Sequence, residues 1–310
     1  MIALKRLILI LFLLYSFTLT LAVSTSVEKV WGSYGTKNGQ FSEPQGIAAD
    51  SKGNVYVADT LNHRVQVFDS NGKHKSSFGK FGEKNGEFRF PHDIVVDSKG
   101  SIYVADSQNG RVQKFNDKYK FVKAWGSKGA GEGQFDGAMF MAIDSSDRIY
   151  VGDAFNQRVQ IFDSEGLLLR TVGGKVTMME SMDDGKLATV SGLAVDASGN
   201  LYICDDLNRR IQKFDPQGNF LLKWTRGISG NFELPGQIAI DDSGNVFFLE
   251  KRQNRVYMLD PSGNCIYEWG GEGTANGQFK SPFGIEIDKS GFLYVLELNG
   301  NRVQKFKINY

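Results

Sequence analysis

Three histidines, two cysteines and 35 acidic side chains set the chemistry open to this 310-residue chain. A catalytic zinc needs three protein ligands and an open position, whereas His63, His74 and His92 stand in dissimilar local sequences. Serine is plentiful, but no Ser-His-Asp arrangement can be defended around these histidines. Asp59 and Arg64, five residues apart, have counterparts along the whole chain and suit an ion pair across a turn. The acid in unusual company is Glu286, inside the apolar run Phe283-Gly284-Ile285-Glu286-Ile287. A carboxylate there is costly unless paired or liganded. With Asp93, Gln45 and Gln237 it could supply an oxygen-rich site for calcium. The competing reading is a salt bridge to a neighbouring element's Arg.

Composition narrows the classes. Lys and Arg number 36 against 35 acids, a formal charge of +1, so the basic excess of a nucleic-acid binder is missing. A chain this long buries roughly three quarters of its unfolded surface and needs no crosslink for a core. Cys204 and Cys265 fall at non-equivalent places of the repeat described below, and read better as two small buried side chains than as a disulfide. Residues 1–24 carry Lys5-Arg6, an apolar stretch from Leu7 and the small residues Ala22, Val23 and Ser24. This is the layout of a secretory signal, with an uncleaved anchor as the alternative. Either reading puts the remainder, residues 25–310, outside the cytoplasm as a single domain.

The residues above are positioned by a repeat. The phrase from Gly46 to Gly72, GIAADSKGNVYVADTLNHRVQVFDSNG, returns five more times, its first Asp falling at Asp50, Asp97, Asp144, Asp196, Asp241 and Asp288. Nine positions on stand Asp59, Asp106, Asp153, Asp205, Glu250 and Glu297, and five further an Arg in every copy, Arg64 to Arg302. Runs such as Val55-Tyr56-Val57 and Val65-Gln66-Val67-Phe68 are β-branched and aromatic. Asp50-Ser51-Lys52-Gly53 and Asp69-Ser70-Asn71-Gly72 carry type I turn chemistry. Each unit therefore reads as four antiparallel strands, and the chain as an all-β, six-bladed β-propeller. Blades are expected near 41–79, 88–126, 135–173, 187–225, 232–270 and 279–310.

Closure is also written in the sequence. Trp125, Trp224 and Trp269 each lie 28 residues after their repeat Asp, but in the sixth copy that position is past Tyr310. Val27-Glu28-Lys29-Val30-Trp31-Gly32 matches the missing strand, so residues 27–32 are expected to pair into the last blade and remove an exposed edge. The long connection 173–190, with Met178-Met179 and Met182, reads as a loop over one face.

Tyr56-Val57-Ala58-Asp59 with Asn62-His63-Arg64-Val65, Tyr103-Val104-Ala105-Asp106 with Asn109-Gly110-Arg111-Val112, and Tyr202-Ile203-Cys204-Asp205 with Asn208-Arg209-Arg210-Ile211 resemble the NHL repeat family. Blades five and six depart from the pattern: Glu250 and Glu297 replace Asp, and Asn254 and Asn301 stand beside the Arg. The resemblance implies a six-bladed propeller. Members of the family include protein-binding, RNA-binding and enzymatic proteins, so fold alone leaves activity open.

Residues shared by every blade are most simply scaffold, and the positions that break the symmetry are the site candidates. Five before the repeat Asp stand Gln45, His92, Met139, Ser191, Gly236 and Phe283. In NHL-type amidating lyases, which this chain is similar to in fold, that position holds zinc-binding His in several blades; here only His92 matches. Gluconolactonase-like propellers use axial carboxylates behind a Pro-Asn-Gly signature, and this chain has Pro44-Gln45-Gly46 and Pro282-Phe283-Gly284 instead. Two before the repeat Asp, Glu286 replaces Ala or Val. Phe140, beside Met139 and Met141, and Phe283 bring large apolar groups to the axis, as a plug or a contact site. The candidate ligand-binding set is thus Gln45, His92, Asp93, Phe140, Gln237, Phe283 and Glu286, with no catalytic residue assigned.

The expectation is a secreted or surface-anchored monomeric propeller that binds a protein partner through the face carrying the strand two-to-three turns and the blade linkers. No nucleic acid is expected, and membrane contact only through an uncleaved leader. No cofactor is expected; calcium or zinc at Glu286, Asp93 and His92 belongs to the alternative, a metal-dependent propeller enzyme of lyase or lactonase type.

Overall fold

A computed structural model of the chain describes residues 23–310 apart from Ala138, so all of the expected leader but Val23 and Ser24 falls outside the described residues. Six four-stranded antiparallel sheets form the six blades. Blade 1 is Gly46–Ala49, Val55–Asp59, Arg64–Phe68 and His74–Phe78. The pattern repeats through blade 5, whose strands are Pro235–Ile240, Val246–Glu250, Arg255–Leu259 and Cys265–Gly270. Blade 6 takes Pro282–Ile287, Phe292–Glu297 and Arg302–Asn309 from one end of the chain and Ser24–Trp31 from the other. Trp31 pairs with Val303 in the register in which Trp269 pairs with Val256, so the early strand completes the sheet as the repeat requires.

Burial follows strand position. The second strands, such as Val55–Asp59 and Val246–Glu250, are buried along their whole length, whereas outer strands such as His74–Phe78 alternate between half-buried and exposed. The apolar clusters join neighbouring blades: Trp31 and Tyr294 of blade 6 pack with Val55, Val57 and Phe68 of blade 1. Trp31 also lies across Gly72 of blade 1, where a Cβ would come within 2.5 Å of the indole. Gly166 stands in the same way against Trp125. The glycine of the third turn is thus required twice, for its positive φ and for this close approach.

Each repeat Asp closes the first hairpin. Asp50 Oδ1 accepts from Lys52 N and Asn54 N, and its Oδ2 accepts the Tyr56 hydroxyl at 3.0 Å. The same phenol reaches Asp97, Asp144, Asp196 and Asp288 from Tyr103, Tyr150, Tyr202 and Tyr294. Blade 5 has Phe247 there, and Asp241 instead accepts the hydroxyl of Tyr310 at 2.5 Å.

The linkers between blades contain little regular structure and are held by a buried side-chain network. Asp59 Oδ1 accepts Ser42 N, and its Oδ2 accepts Arg64 Nε at 2.8 Å and Gln66 Nε2 at 2.9 Å. Arg64 and Gln66 then donate to the linker carbonyls of Lys37 and Gln40, while Gln66 Oε1 accepts Gly39 N. The ion pair recurs as Asp106–Arg111, Asp153–Arg158, Asp205–Arg210 and Glu297–Arg302. Blade 5 corrects the expectation that every copy makes it: Arg255 turns to Glu268 at 2.5 Å, and Glu250 accepts backbone N–H groups, those of Glu233 and Leu234 among them, in place of an Arg side chain. The reason is local. A short hairpin, Arg226–Gly227 with Gly230–Asn231, replaces the usual linker, and Tyr257 stands where the other blades have Gln.

Removing a buried carboxylate strands its guanidinium and carboxamide partners. Asp106→Ala is expected to cost about 3–5 kcal/mol in urea unfolding, and Glu250→Ala distinctly less; equal losses would show that the network is not what holds the linkers.

Candidate functional site

The innermost strands line the axis, and there the six copies differ most. Four positions before the repeat Asp, blades 1, 4 and 6 carry Gly46, Gly192 and Gly284, and blades 2, 3 and 5 carry Asp93, Phe140 and Gln237. A Cβ on Gly46 would meet Asp93 Cα at 2.6 Å, and one on Gly192 the Gly236 carbonyl at 2.5 Å. Half of the strands therefore give up side chains so that the other half can fill the axis.

That filling closes the channel in two layers. Gln237 Nε2 donates to Asp93 Oδ2 at 2.7 Å, spanning the axis between the opposite blades 2 and 5. The same oxygen accepts Met141 N at 2.8 Å, and Oδ1 accepts Ile94 N at 2.9 Å. Beside it His92 meets Phe140 edge-on at 4.7 Å and Phe283 at 5.6 Å, while Phe140 and Phe283 stack at 6.4 Å. The aromatic residues thus form a plug contributed by blades 2, 3 and 6.

Beyond the polar layer lies a cavity of about 250 Å³, lined by Asp93, Gln237, Glu286 and small apolar residues such as Ala48, Ala142 and Ala239. It widens into a mouth of about 300 Å³ ringed by Asp50, Asp97, Asp144, Asp196 and Asp241 with Lys289 at its edge. Glu286 keeps partial solvent contact through this cavity. No ion pair to an Arg is formed by Glu286 among the described residues. The apolar wall and the neighbouring Asp93 charge push its carboxyl up to about 8. Burial pushes Asp93 up to about 7, against its hydrogen bonds to Met141, Ile94 and Gln237. Burial takes the His92 imidazole down to about 4.

The sequence candidates thus separate into two places. Asp93, Gln237 and Glu286 share the cavity, whereas Gln45 and His92 line a groove on the opposite face. The oxygen donors expected for a cation do not converge: Asp93 spends its oxygens on N–H donors, and Gln45 is on the other side of the plug. Among the described residues no three His, Cys, Asp or Glu side chains are placed to hold a metal ion.

The face carrying the second turn of each blade holds the groove. Each turn in blades 1 to 4 is a short 3-10 segment, for example Thr60–Asn62 and Ala154–Asn156, followed by a left-handed residue. That residue reaches the next linker: His63 Nδ1 accepts Phe90 N, Gln157 Oε1 accepts Val176 N, Asn254 Oδ1 accepts Ser281 N and Asn301 Oδ1 accepts Glu43 N. The shifted Asn254 and Asn301 of blades 5 and 6 are therefore interblade ties, and His63 is one too, wedged between Phe81 and Phe90.

The family model of the NHL repeat matches residues 41–68 and 88–115, the first strands through the third in blades 1 and 2. Blades 1 and 2 of this six-bladed β-propeller are NHL repeats. Its curated relatives share one repeat: the B-box type zinc finger protein ncl-1 of Caenorhabditis elegans is 51% identical over 45 residues, 14% of this chain and 5% of that protein. Protein brain tumor of Drosophila melanogaster is 46% identical over 48 residues, 16% of this chain and 5% of its own length. The propeller is similar in fold to a streptogramin B lyase, with a TM-score of 0.63, 14% identity and coverage of 93% of this chain and 98% of that one. A Bacteroides thetaiotaomicron protein of unknown function gives 0.69 at 16% identity, covering 93% and 76%. Virginiamycin B lyase from Staphylococcus aureus gives 0.61 at 11% identity, covering 92% and 99%. At these identities the likeness is one of fold.

The raised carboxyls at the axis set a pH dependence. A folded carboxyl that holds its proton above the unfolded value favours the native state while protonated, and that advantage is lost as pH rises from about 4 through the folded values of about 7 and 8. Glu286→Gln is expected to flatten the fall in urea midpoint between pH 5 and pH 8.5. An unchanged slope would show that Glu286 ionises normally.

Proposed function

We propose that this chain is an extracytoplasmic NHL propeller that binds another protein through the face carrying the second turns and the linkers. The observation that carries the reading is a set of exposed apolar side chains at repeat-equivalent positions. Leu61, Phe155 and Leu207, each the middle residue of its turn, are 39%, 67% and 70% exposed. Exposed Met178, Met179 and Met182 stand in the long loop, whose backbone carbonyls at Ser181, Met182 and Asp183 accept from Arg210 as linkers do in other blades. Tyr34 and Phe81 add exposed rings in two linkers. Apolar groups gathered on one face of a rigid scaffold fit a protein contact better than a solvated surface.

The opposite face offers less. Its Asp side chains are consumed by their own turns, and the cavity behind them is small. Export rests on the signal-like residues 1–24, and the formal charge of +1 gives no hold on phosphate backbones. The matched relatives share only 5–6% of their own length with this chain, so their activities are not carried over.

Photo-crosslinking tests the reading. A benzophenone amino acid at Leu207 is expected to give a discrete protein adduct in the native host, and one at Lys289 none. Adducts from Lys289 alone would overturn it. About one equivalent of tightly held calcium or zinc with lyase or hydrolase turnover, lost in Glu286→Gln, would favour the enzyme alternative instead.

A further inference from the structure

The connection between blades 3 and 4 is the longest in the repeat, with 52 positions from Asp144 to Asp196 against 47 from Asp50 to Asp97. It also holds half of the described methionines. Met139, Met141 and Met258 are buried within the blades, whereas Met178, Met179 and Met182 are 90%, 85% and 70% exposed.

The three exposed ones belong to a single turn of backbone. Ser181 N donates to the Thr177 carbonyl at 3.0 Å and Met182 N to the Met179 carbonyl at 3.3 Å, while the Ser181 hydroxyl donates to the Met178 carbonyl at 2.8 Å. Side chains three and four positions apart on such a turn lie on one side of it, with Cβ atoms about 5–6 Å apart. Met182 is four positions from Met178 and three from Met179, so the three thioethers share a side. The turn is held from beneath. Arg210 donates to the carbonyls of Ser181, Met182 and Asp183, and Asn208 Nδ2 to that of Ser181 at 2.7 Å. Arg210 and Ser181 are themselves buried, so the backbone is fixed to the scaffold while the methionine side chains stand in solvent.

Apolar contact alone does not call for sulfur, since Leu61, Phe155 and Leu207 offer it on the same face. A thioether is a soft, neutral lone-pair donor that selects ions of the Cu(I) class, whereas calcium and magnesium take oxygen ligands. Three neutral donors bring no negative charge, which suits a monovalent ion better than a divalent one. The unbranched methionine side chain has three rotatable bonds, so sulfurs on one side of a fixed turn can converge on a single ion with little strain.

We propose that Met178, Met179 and Met182 form a three-thioether site for a soft monovalent cation of the Cu(I) class. The site is independent of the protein-binding reading, which uses these side chains for their apolar surface and not for their sulfur.

Titration with Ag(I), a redox-inert stand-in for Cu(I), tests it on the intact protein isotope-labelled at its methionine methyl groups. The methyl resonances of Met178, Met179 and Met182 are expected to shift together and to saturate at about one equivalent, while those of Met139, Met141 and Met258 stay in place. Cu(I) affinity is then measured under ascorbate by competition with bicinchoninate. Met182→Leu keeps size and apolarity and removes one donor. It is expected to weaken Cu(I) binding about tenfold or more, no less than the loss of a partner behind a metal ligand costs, with an unchanged urea midpoint. Leu at all three positions is expected to abolish the response to both ions and to leave the protein adduct from Leu207 intact. Cys265, the half-buried thiol, is the competing soft donor. Shifts confined to Met178 and Met179 would overturn the site, as would an affinity that survives the triple substitution and is lost in Cys265→Ser.

Discussion

A buried carboxylate at the end of the second strand, paired with an Arg of the third in every blade but the fifth, is the constraint from which the rest of the molecule follows. Linkers such as residues 32–45 have little regular structure, so their backbone N–H and C=O groups need partners from elsewhere. Asp59, Arg64 and Gln66 make five hydrogen bonds to four of these groups in one place. The ion pair taken alone would be a poor source of stability, because desolvation offsets its attraction. Its value is geometric: it fixes where each linker crosses the blade that follows, and hence the outline of the turn face. Where the linker is shortened, before blade 5, the network has nothing to hold and is absent.

Identical blades would leave a symmetric hole, and this chain fills its hole by unlike choices at like positions. Glycines in three blades let strands approach closely enough for Asp93 and Gln237 to meet from opposite sides. Phe140 and Phe283 then cap that polar contact, keeping water from one side and strengthening it. One consequence is a division of labour between two faces that do not communicate through the axis. The acidic mouth, with its turn-bound aspartates, and the apolar turn face are separate surfaces of one rigid body.

The fold was legible because a propeller writes each structural decision six times. Strand pairing, the turn residues and the strand-swapped closure by residues near Trp31 all follow from aligning the chain with itself. The axis was half legible: His92, Asp93, Gln237 and Glu286 stand out as departures from the repeat, but their grouping depends on which blades face each other and on which side of the plug each residue points. Gln45, next to Gly46 in sequence, belongs with His92 and not with Glu286 for that reason. The blade 5 exception was hidden because Glu250 and Arg255 keep the right spacing; the replaced Gln at Tyr257 and the shortened linker were the available signals. The contact of Tyr310 with Asp241 could have been suspected only from Phe247 standing where every other blade has Tyr.

The sheet that joins Ser24–Trp31 to Arg302–Asn309 has a kinetic meaning as well as an architectural one. Five blades are built from contiguous sequence and can form as the chain emerges, but the sixth must wait for its two most distant segments to meet. That contact carries the largest loop-closure cost in the molecule and is made late. Until then the flanks of blades 1 and 6, including Val55, Phe68 and Tyr294, lack the indole of Trp31 that covers them. An open ring would therefore present an apolar edge at blades 1 and 6, the one place where a blade is completed by strands from distant parts of the sequence.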